Sequence, residues 1–177
     1  DSDGLMLLAE DHRRVYGLFE KFQWIDYNQS LRRDVFNRIV REIRLHHAIE
    51  SGVLHPVIGW MIGEDVQKRD DEEHEQILNE IEEINQIETE AYTERVPSLM
   101  KKFVKHAENE ENTLFPLLRK KMSLHQLEML NSLIKDIRTI DPDICRYQTV
   151  CLLKIDGPIR RRVDEFLSSF DESICDV

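Results

Sequence analysis

The stretch "LHHAIESGVLHP" (residues 45–56) has a counterpart in "KHAENEENTLFP" (residues 105–116), 60 positions later. In each copy a His precedes a Glu by four positions, and Leu-x-Pro follows at the same offset. Residues i and i+4 of an α-helix lie on one face, one turn apart. The repeat therefore predicts two helices that each direct a His and a Glu to the same side. These pairs are His46 with Glu50 and His106 with Glu110.

Helical periodicity governs the sequence around the two copies. Apolar residues recur at steps of three and four in four stretches, as in helices that bury one face. The stretches span residues 5–22, 35–57, 74–84 and 99–117. A break at "IDYNQS", with Asn28 or Ser30 as a helix cap, separates the first two. Amphipathic helices joined by short links predict an all-α protein, an antiparallel up-down four-helix bundle.

A His or a His/Glu pair interrupts every one of these apolar stripes. Besides the two pairs, His12 stands alone in the first stripe and His74 in the third. His12 precedes His46 by 34 positions, and His74 precedes His106 by 32. The spacing indicates a duplicated helical hairpin with a pseudo-twofold axis. Burying ionisable side chains is costly unless they are paired or coordinate a metal. We therefore predict six metal ligands: His12, His46, Glu50, His74, His106 and Glu110.

Four imidazoles and two carboxylates form a mixed nitrogen and oxygen donor set. Such a set suits a pair of iron or manganese ions better than a structural zinc site, which favours thiolates and closes at four ligands; zinc is an alternative. Symmetry assigns His12 and His46 to one ion, His74 and His106 to the other, and Glu50 and Glu110 as bridges. A solvent-derived oxo or hydroxo group would complete the bridge. One coordination position would then stay open for a small ligand.

Five polar residues lie close to these ligands in sequence without joining the ligand set: Asp11, Tyr16, His47, His55 and Glu73. His47 lies about 100° around the helix from the preceding ligand, which favours a surface or supporting position. His55 is expected either to hydrogen-bond near the site or to be exposed at the helix end. Asp11 and Glu73 adjoin ligands, but adjacent helical residues diverge, so solvated or interhelical charges are expected. Tyr16 is expected to pack between helices rather than donate toward the metals.

The last third of the chain contains shorter helical stretches, near residues 124–139, 143–154 and 158–170. We divide the chain into a bundle, residues 1–122, and a C-terminal helical extension, residues 123–177, packed on the bundle or in a homodimer contact. His125 is expected to be structural or on the surface. The cysteines have no CxxC spacing and predict neither a disulfide framework nor a cysteine-ligated cluster. We assign no role to Cys145, Cys151 and Cys175.

Composition excludes several classes of partner. The formal net charge of −11 repels phosphate backbones and anionic membranes, so neither nucleic acid nor a membrane is expected as a partner. No stretch approaches the roughly 18 apolar residues needed to span a bilayer. The first residues lack the basic and apolar regions of a signal peptide. Together with the cysteine usage, these features lead us to expect a cytoplasmic protein.

The run "DH…HHAIESGVLHP…EH…HAENEENTLFP" resembles the hemerythrin-like, or HHE cation-binding, domain over residues 5–120. The resemblance implies a non-haem di-iron centre, two iron ions with a bridging oxo or hydroxo group. Such a centre binds or reacts with dioxygen, nitric oxide or peroxide, or senses iron. Two features depart from the oxygen-carrying hemerythrins: Leu78 stands where they have a second His, and Glu110 lies at a different offset. The pattern is more similar to the iron-sensing F-box domain and to bacterial iron–sulphur repair proteins.

Three functions are compatible with this pattern, and the sequence leaves open whether the protein is an enzyme. The first is a di-iron module that binds or senses a small diatomic ligand, or iron itself. The second is a di-iron enzyme that acts on peroxide or dioxygen, or in iron–sulphur cluster repair. The third is a bundle whose polar layer only fixes the register of the helices.

Overall fold

The computed structural model describes residues 3–139 and 157–170. Within these ranges the chain is helical and contains no strand, so the prediction of an all-α fold is confirmed. The α-helices are α1 (Gly4–Trp24), α2 (Gln29–Ile49), α3 (His55–Met61), α4 (Glu64–Asn85), α5 (Val96–Asn109), α6 (Phe115–Lys121), α7 (Leu124–Thr139) and α8 (Gly157–Ser168). Two π-helical segments, Glu50–Leu54 and Glu110–Leu114, and a 3₁₀ turn, Glu90–Glu94, lie between them.

Four helical rods form the bundle. α1 and α4 are single helices, α2 continues through the first π segment into α3, and α5 continues through the second into α6. Neighbouring rods pack in the order α1, α2, α4 and α5, and α5 also packs against α1. Rods that follow one another through short links run antiparallel. The arrangement is that of the predicted up-down four-helix bundle.

The helix boundaries follow local sequence signals. Asn28, one of the two predicted caps, accepts a hydrogen bond from the backbone N–H of Leu31 at 3.0 Å at the start of α2. Gly63 precedes α4 with a φ of +150°, a conformation that side chains with a Cβ rarely adopt. Ser123 accepts from the backbone N–H of Gln126 at 3.2 Å and so begins α7. The breaks before α2, α4 and α7 thus have a physical cause in their own residues.

The buried apolar residues form two clusters, one on each side of the polar layer. On α1, Leu8 belongs to the first cluster and Val15 to the second, and His12 lies between them in sequence. On α5 and the segment after it, Phe103 belongs to the second cluster and Leu114 to the first. All four apolar side chains are at most 3% exposed. The predicted ligands therefore lie between two dry regions of the core.

The two described helices of the C-terminal part extend the first of these clusters. α7 packs against α1, and α8 packs against α7. Leu130 and Ile134 of α7, and Val163 and Phe166 of α8, are buried in the same cluster as Leu5. Helices predicted near the positions of α7 and α8 are therefore present and share a core with the bundle.

The structure does not test the remaining predictions for the C-terminal part. The helix predicted near residues 143–154 and the three cysteines lie outside the described residues. The division of the chain at residue 122 stays a prediction. Among the described residues, every helix is too short or too polar to cross a bilayer.

Each π segment begins at the Glu of a repeated motif, a feature the regular helical periodicity did not predict. The backbone N–H of His55 donates to the carbonyl of Glu50, and that of Phe115 donates to the carbonyl of Glu110. The residue after each donor is a Pro, which lacks an N–H and would clash with the carbonyl four residues earlier in a regular helix. The widened turn avoids that clash. Such single π turns inside helices are frequent at functional sites.

Candidate metal centre

The fold brings all six predicted ligands into one buried layer. Each is at most 3% exposed. α1 contributes His12, α2 contributes His46, the first π segment begins with Glu50, α4 contributes His74, α5 contributes His106, and the second π segment begins with Glu110. Every rod of the bundle therefore supplies one imidazole, and two rods add a carboxylate.

The first group of donor atoms surrounds His12 and His46. Their Nε2 atoms lie 3.0 Å apart. The Nε2 atom of His12 lies 3.1 Å from Oε2 of Glu110, and that of His46 lies 3.1 Å from Oε2 of Glu50. One donor atom from each of the four residues lies within 4.8 Å of the others, a spacing at which one cation can contact all of them.

The second group surrounds His74 and His106 and uses the same two carboxylates. The Nε2 atoms of this His pair also lie 3.0 Å apart. Oε2 of Glu50 lies 3.2 Å from Nε2 of His74, and Oε1 of Glu110 lies 3.5 Å from Nε2 of His106. The two groups therefore share Glu50 and Glu110, the two carboxylates that the sequence analysis assigns as bridges; that they bind metal stays a prediction.

The unpartnered polar atoms of this layer fit a pair of cations. Both carboxylate oxygens of Glu50 and of Glu110 are buried and accept no hydrogen bond of suitable geometry among the described residues, although imidazole nitrogens lie 3.1–3.5 Å from three of them. Within each group, two imidazole nitrogens also face each other and the same carboxylates. Buried polar groups are normally hydrogen-bonded, and buried charges are normally paired or bound to a metal. Four nitrogen and four oxygen atoms directed at two points suit iron or manganese.

The electrostatics of the metal-free layer lead to the same conclusion. Burial and the charge of Glu50 raise the pKa of Glu110 well above its usual range. Burial and the neighbouring His46 lower the pKa of His12 to about 3. Burial alone would lower the pKa of His46, but the carboxylates of Glu50 and Asp11 raise it to about 10. Without cations the groups cannot all hold the charge state that a ligand needs, whereas cations would stabilise both carboxylates and neutral imidazoles.

Carboxylates on neighbouring segments contact the Nδ1 atoms of the imidazoles, which we call the outward nitrogens because they face away from the proposed metal positions. His12 Nδ1 donates to Glu111 at 2.7 Å, and His106 Nδ1 donates to Glu73 at 2.9 Å. Asp11 lies 3.6 Å from Nδ1 of His46. Such carboxylates fix the ring orientation and tautomer of metal-binding His residues. Glu73 and Asp11 diverge from the His beside them, as expected, but each reaches a His on the next helix.

His47 and His55 lie deeper than the sequence suggested. His47 was expected at a surface or supporting position, and the surface alternative is wrong. His47 is 0% exposed, and its ring stacks on His74 with centroids 3.8 Å apart. A helix packed between two neighbours buries an arc wide enough to include a residue 100° from the ligand. For His55, the buried alternative is the one observed, since its Nε2 donates to Asp70 at 2.7 Å and its Nδ1 pairs with Asp71.

Asp70 is a buried acid that the sequence reasoning missed. It is 5% exposed, and its Oδ2 lies 3.8 Å from Nε2 of His74. Its position four residues before His74 was an available signal.

Tyr16 packs against Phe103 with ring centroids 6.0 Å apart, as expected, and His125 is exposed.

Comparisons with known proteins bear on the family and the fold of the chain. Residues 3–118 match the family model described as hemerythrin HHE cation binding domain. A crystal structure of a hemerythrin HHE cation binding domain-containing protein from Mycobacterium kansasii superposes with a TM-score of 0.69 and 19% identity, covering 94% of this chain and 99% of that one. This likeness concerns the fold and extends past the family match.

A curated relative from Nostoc sp. (strain PCC 7120 / SAG 25.82 / UTEX 2576) is described as a DNA nickase. It is 31% identical over 125 residues, which make up 69% of this chain. The chain spans 35% of the length of that relative. The family match covers well over half of the chain and contains all six residues of the buried layer. The chain therefore belongs to the hemerythrin HHE cation-binding domain family.

Proposed function

We propose that the chain is a non-haem di-iron protein that binds or senses a small ligand such as dioxygen or nitric oxide, or iron itself. His12 and His46 would hold one iron, His74 and His106 would hold the other, and Glu50 and Glu110 would contribute carboxylate oxygens to both. The observation that carries the proposal is the position of one carboxylate oxygen: Glu50 Oε2 lies 3.1 Å from Nε2 of His46 and 3.2 Å from Nε2 of His74. Manganese and zinc are the alternative metals.

The surroundings of the centre support ligand binding. When bound, the iron pair would supply a redox-active centre with a position open to a small ligand. Glu111 and Glu73 hold the outward nitrogens of two imidazoles, and apolar clusters lie on both sides of the layer. Apolar surroundings favour a stable adduct, because the shell around a metal controls solvent access.

Two other functions receive less support. An enzyme that activates dioxygen would need a proton donor near the open position. Tyr16, one turn after His12, could serve as one, but burial raises its pKa to about 12 and its ring packs on Phe103. An enzyme that acts on peroxide or dioxygen, or in iron–sulphur cluster repair, is therefore the alternative. A purely structural layer would need its polar groups paired, and the oxygens of Glu50 and Glu110 accept no hydrogen bond of suitable geometry among the described residues.

DNA nicking, the activity in the name of the Nostoc relative, is not part of this proposal. The chain corresponds to about a third of that protein, 35% of its length. Its net charge of −11 disfavours binding to phosphate backbones.

Metal analysis followed by anaerobic optical titration tests the proposal. Protein expressed with iron should contain two iron ions per chain. Dioxygen or nitric oxide should produce a charge-transfer band that disappears when the ligand is removed. Catalytic loss of peroxide without a stable adduct would favour the enzyme instead. Fewer than one iron or manganese ion per chain would contradict a metal centre of either kind.

A further inference from the structure

The two hairpins of the centre can be compared residue by residue. Positions on α1 recur 62 residues later on α4, as His12 and His74 do. Positions on α2 and the segment after it recur 60 residues later, as His46 and His106 do. Two equivalent metal positions would need the same kinds of residue around both His pairs. Three buried positions depart from this equivalence.

We name the surroundings of His74 and His106 the His74 side, and those of His12 and His46 the His12 side. At each of the three positions the residue on the His74 side is polar and the matching residue on the His12 side is apolar. The matched residues, polar member first, are His55 and Phe115, Asp70 and Leu8, and His47 and Ala107. All of them are buried, with at most 5% of each residue exposed. The asymmetry therefore lies inside the protein, where an unneeded polar group destabilises the fold.

Matched contacts make the comparison direct. The ring of Phe115 stacks over His12 with centroids 6.1 Å apart, and the ring of His55 stacks over His74 with centroids 4.9 Å apart. His55 Nε2 donates to Asp70 Oδ2 at 2.7 Å. One imidazole ligand is thus covered by a hydrocarbon ring, and the other by an imidazole with its own carboxylate partner.

His47 has no partner for either of its ring nitrogens among the described residues. It is 0% exposed and stacks on His74 at 3.8 Å with an interplanar angle of 10°. Its centroid also lies 5.5 Å from that of His106. A neutral imidazole carries one N–H donor, and a buried donor is normally hydrogen-bonded. One ring nitrogen of His47 lies within 4.8 Å of donor atoms of His74 and His106. As a neutral imidazole outside the proposed ligand set, His47 holds a hydrogen-bond donor on the His74 side for which the described residues supply no acceptor.

The surface next to each side differs in the same sense. A cavity of about 420 Å³ lies against Glu73 and His106 and is lined by Lys101, Lys102 and Lys105. Lys102 pairs with Glu80, so Lys101 and Lys105 are the lysines that attract small anions to this cavity in a protein with a net charge of −11. The cavity next to the His12 side measures about 330 Å³ and contains none of the six proposed ligands. Its charged lining residues are Arg13, Glu20, Glu108 and Glu111.

From these observations we propose that a small exogenous ligand that accepts hydrogen bonds binds on the His74 side of the centre, where His47 donates a hydrogen bond to it. The inference rests on the proposed function, because it requires a loaded metal centre. The repeated motifs supply two similar sets of ligands, and His47, His55 and Asp70 make one of the two positions suited to a polar guest. The lysine-lined cavity lies on that same side.

Azide, a small anion that accepts hydrogen bonds, tests the role of His47. Optical titration of the iron-loaded protein gives the azide dissociation constant, and metal analysis gives the iron content of each variant. His47→Ala should weaken azide binding about 10- to 100-fold, the effect of losing one hydrogen bond to a charged group, with the iron content unchanged. His47→Gln keeps an N–H donor and should stay within about threefold of wild type. His125→Ala removes an exposed His and should change neither value.

The outcomes separate this inference from the proposed function. An unchanged azide affinity in His47→Ala, or no azide binding to wild-type protein that contains its iron, overturns the inference alone. Loss of iron from both His47 variants overturns it too, since His47 would then support the ligands. A wild-type chain without iron overturns both proposals.

Metal-free protein provides a second readout. His47→Leu removes an unpartnered buried imidazole, so its melting temperature should equal or exceed that of the wild type. A large fall would assign His47 a structural role and overturn the inference.

The direction of access has its own test. Lys105→Ala and Arg13→Ala each remove one exposed positive charge, but beside different cavities. Stopped-flow mixing with azide at low salt should show an association rate several-fold lower for Lys105→Ala and unchanged for Arg13→Ala. Equal rates for the two variants would contradict access from the His74 side.

Discussion

Asp11 accepts a 2.6 Å hydrogen bond from Arg138, a residue 127 positions further along the chain. Asp11 also lies 3.6 Å from Nδ1 of His46, and Arg138 donates to the backbone carbonyl of Leu7 at 2.8 Å. Arg138 belongs to α7, beyond the residues 3–118 that match the family model. The C-terminal helices therefore reach a proposed ligand through one buried carboxylate.

Replacing Arg138 with Ala should affect stability and metal binding together. Asp11 would lose a partner in a buried position, which typically costs about 1–3 kcal/mol. His46 would be held less firmly, and the loss of such support weakens metal binding by about 10- to 100-fold. Chemical denaturation and metal titration measure the two effects. The control Arg160→Ala breaks an exposed pair with Asp164 and should cost less than about 1 kcal/mol. Equally small effects in both variants would contradict the role of Arg138.

Removing a ligand from either hairpin should lower metal content and thermal stability together. His46→Ala and His106→Ala would each leave the rest of the layer as unpaired polar groups in the core. Metal analysis and thermal melts of both variants check this expectation. If both retain two metal ions per chain, the ligand assignment is wrong.

Glu110→Gln distinguishes a metal-bridging carboxylate from a structural one. The loaded protein should lose metal, because an amide cannot neutralise the two cations. The metal-free protein should be as stable as the wild type or more stable, since burial and the charge of Glu50 already raise the pKa of Glu110. Glu111→Gln is the matched control, because Glu111 hydrogen-bonds to the outward nitrogen of His12 and lies in neither group of proposed metal ligands. A stability loss in metal-free Glu110→Gln larger than that in Glu111→Gln would count against a bridging role.

Asp3→Asn tests the pH dependence of the contact between α1 and α6. Hydrogen bonds from Arg119 lower the pKa of the Asp3 carboxyl below 3.8. A carboxyl with a depressed folded pKa stabilises the protein above its unfolded pKa, and this contribution is lost as the pH falls through the folded pKa. The free energy of unfolding of metal-free Asp3→Asn should be lower than that of wild type at pH 6, and the difference should shrink below about pH 4. A difference independent of pH would contradict the account.

Two glycines of α1 should respond to Ala in opposite directions. A Cβ on Gly4 would lie 2.4 Å from Cγ of Leu130 and 2.8 Å from the backbone nitrogen of Asn131, so Gly4→Ala should destabilise by about 1–3 kcal/mol. A Cβ on Gly17 would meet nothing within 4 Å among the described residues. Gly17→Ala should therefore stabilise the helix by about 1 kcal/mol. Chemical denaturation of the two variants measures both effects. Equal effects would contradict the close packing of α1 on α7.

The fold and the placement of the six proposed ligands could be predicted from the sequence, because each ligand interrupts an apolar stripe. His46 and Glu50 occupy positions of the apolar stripe, and residues of that stripe face the core, so the sequence also predicts that both side chains point inward. The duplication in the sequence also predicts which His residues pair.

The surroundings of the centre could not be predicted in the same way. The π segment that follows Glu50 changes the direction of His55 relative to a regular helix, and periodicity alone does not contain that change. The hydrogen bond between Asp70 and His55 is a tertiary contact across 15 positions, which periodicity does not predict. The burial of His47 depends on how closely α4 and α5 approach α2.

Anomalous diffraction at the iron absorption edge, from crystals of protein expressed with iron, tests the central claim most directly. The account predicts two anomalous peaks in the buried layer, one beside His12 and His46 and one beside His74 and His106, with Glu50 and Glu110 next to both. A layer without such peaks in a folded crystal, or peaks only at the surface, would contradict it.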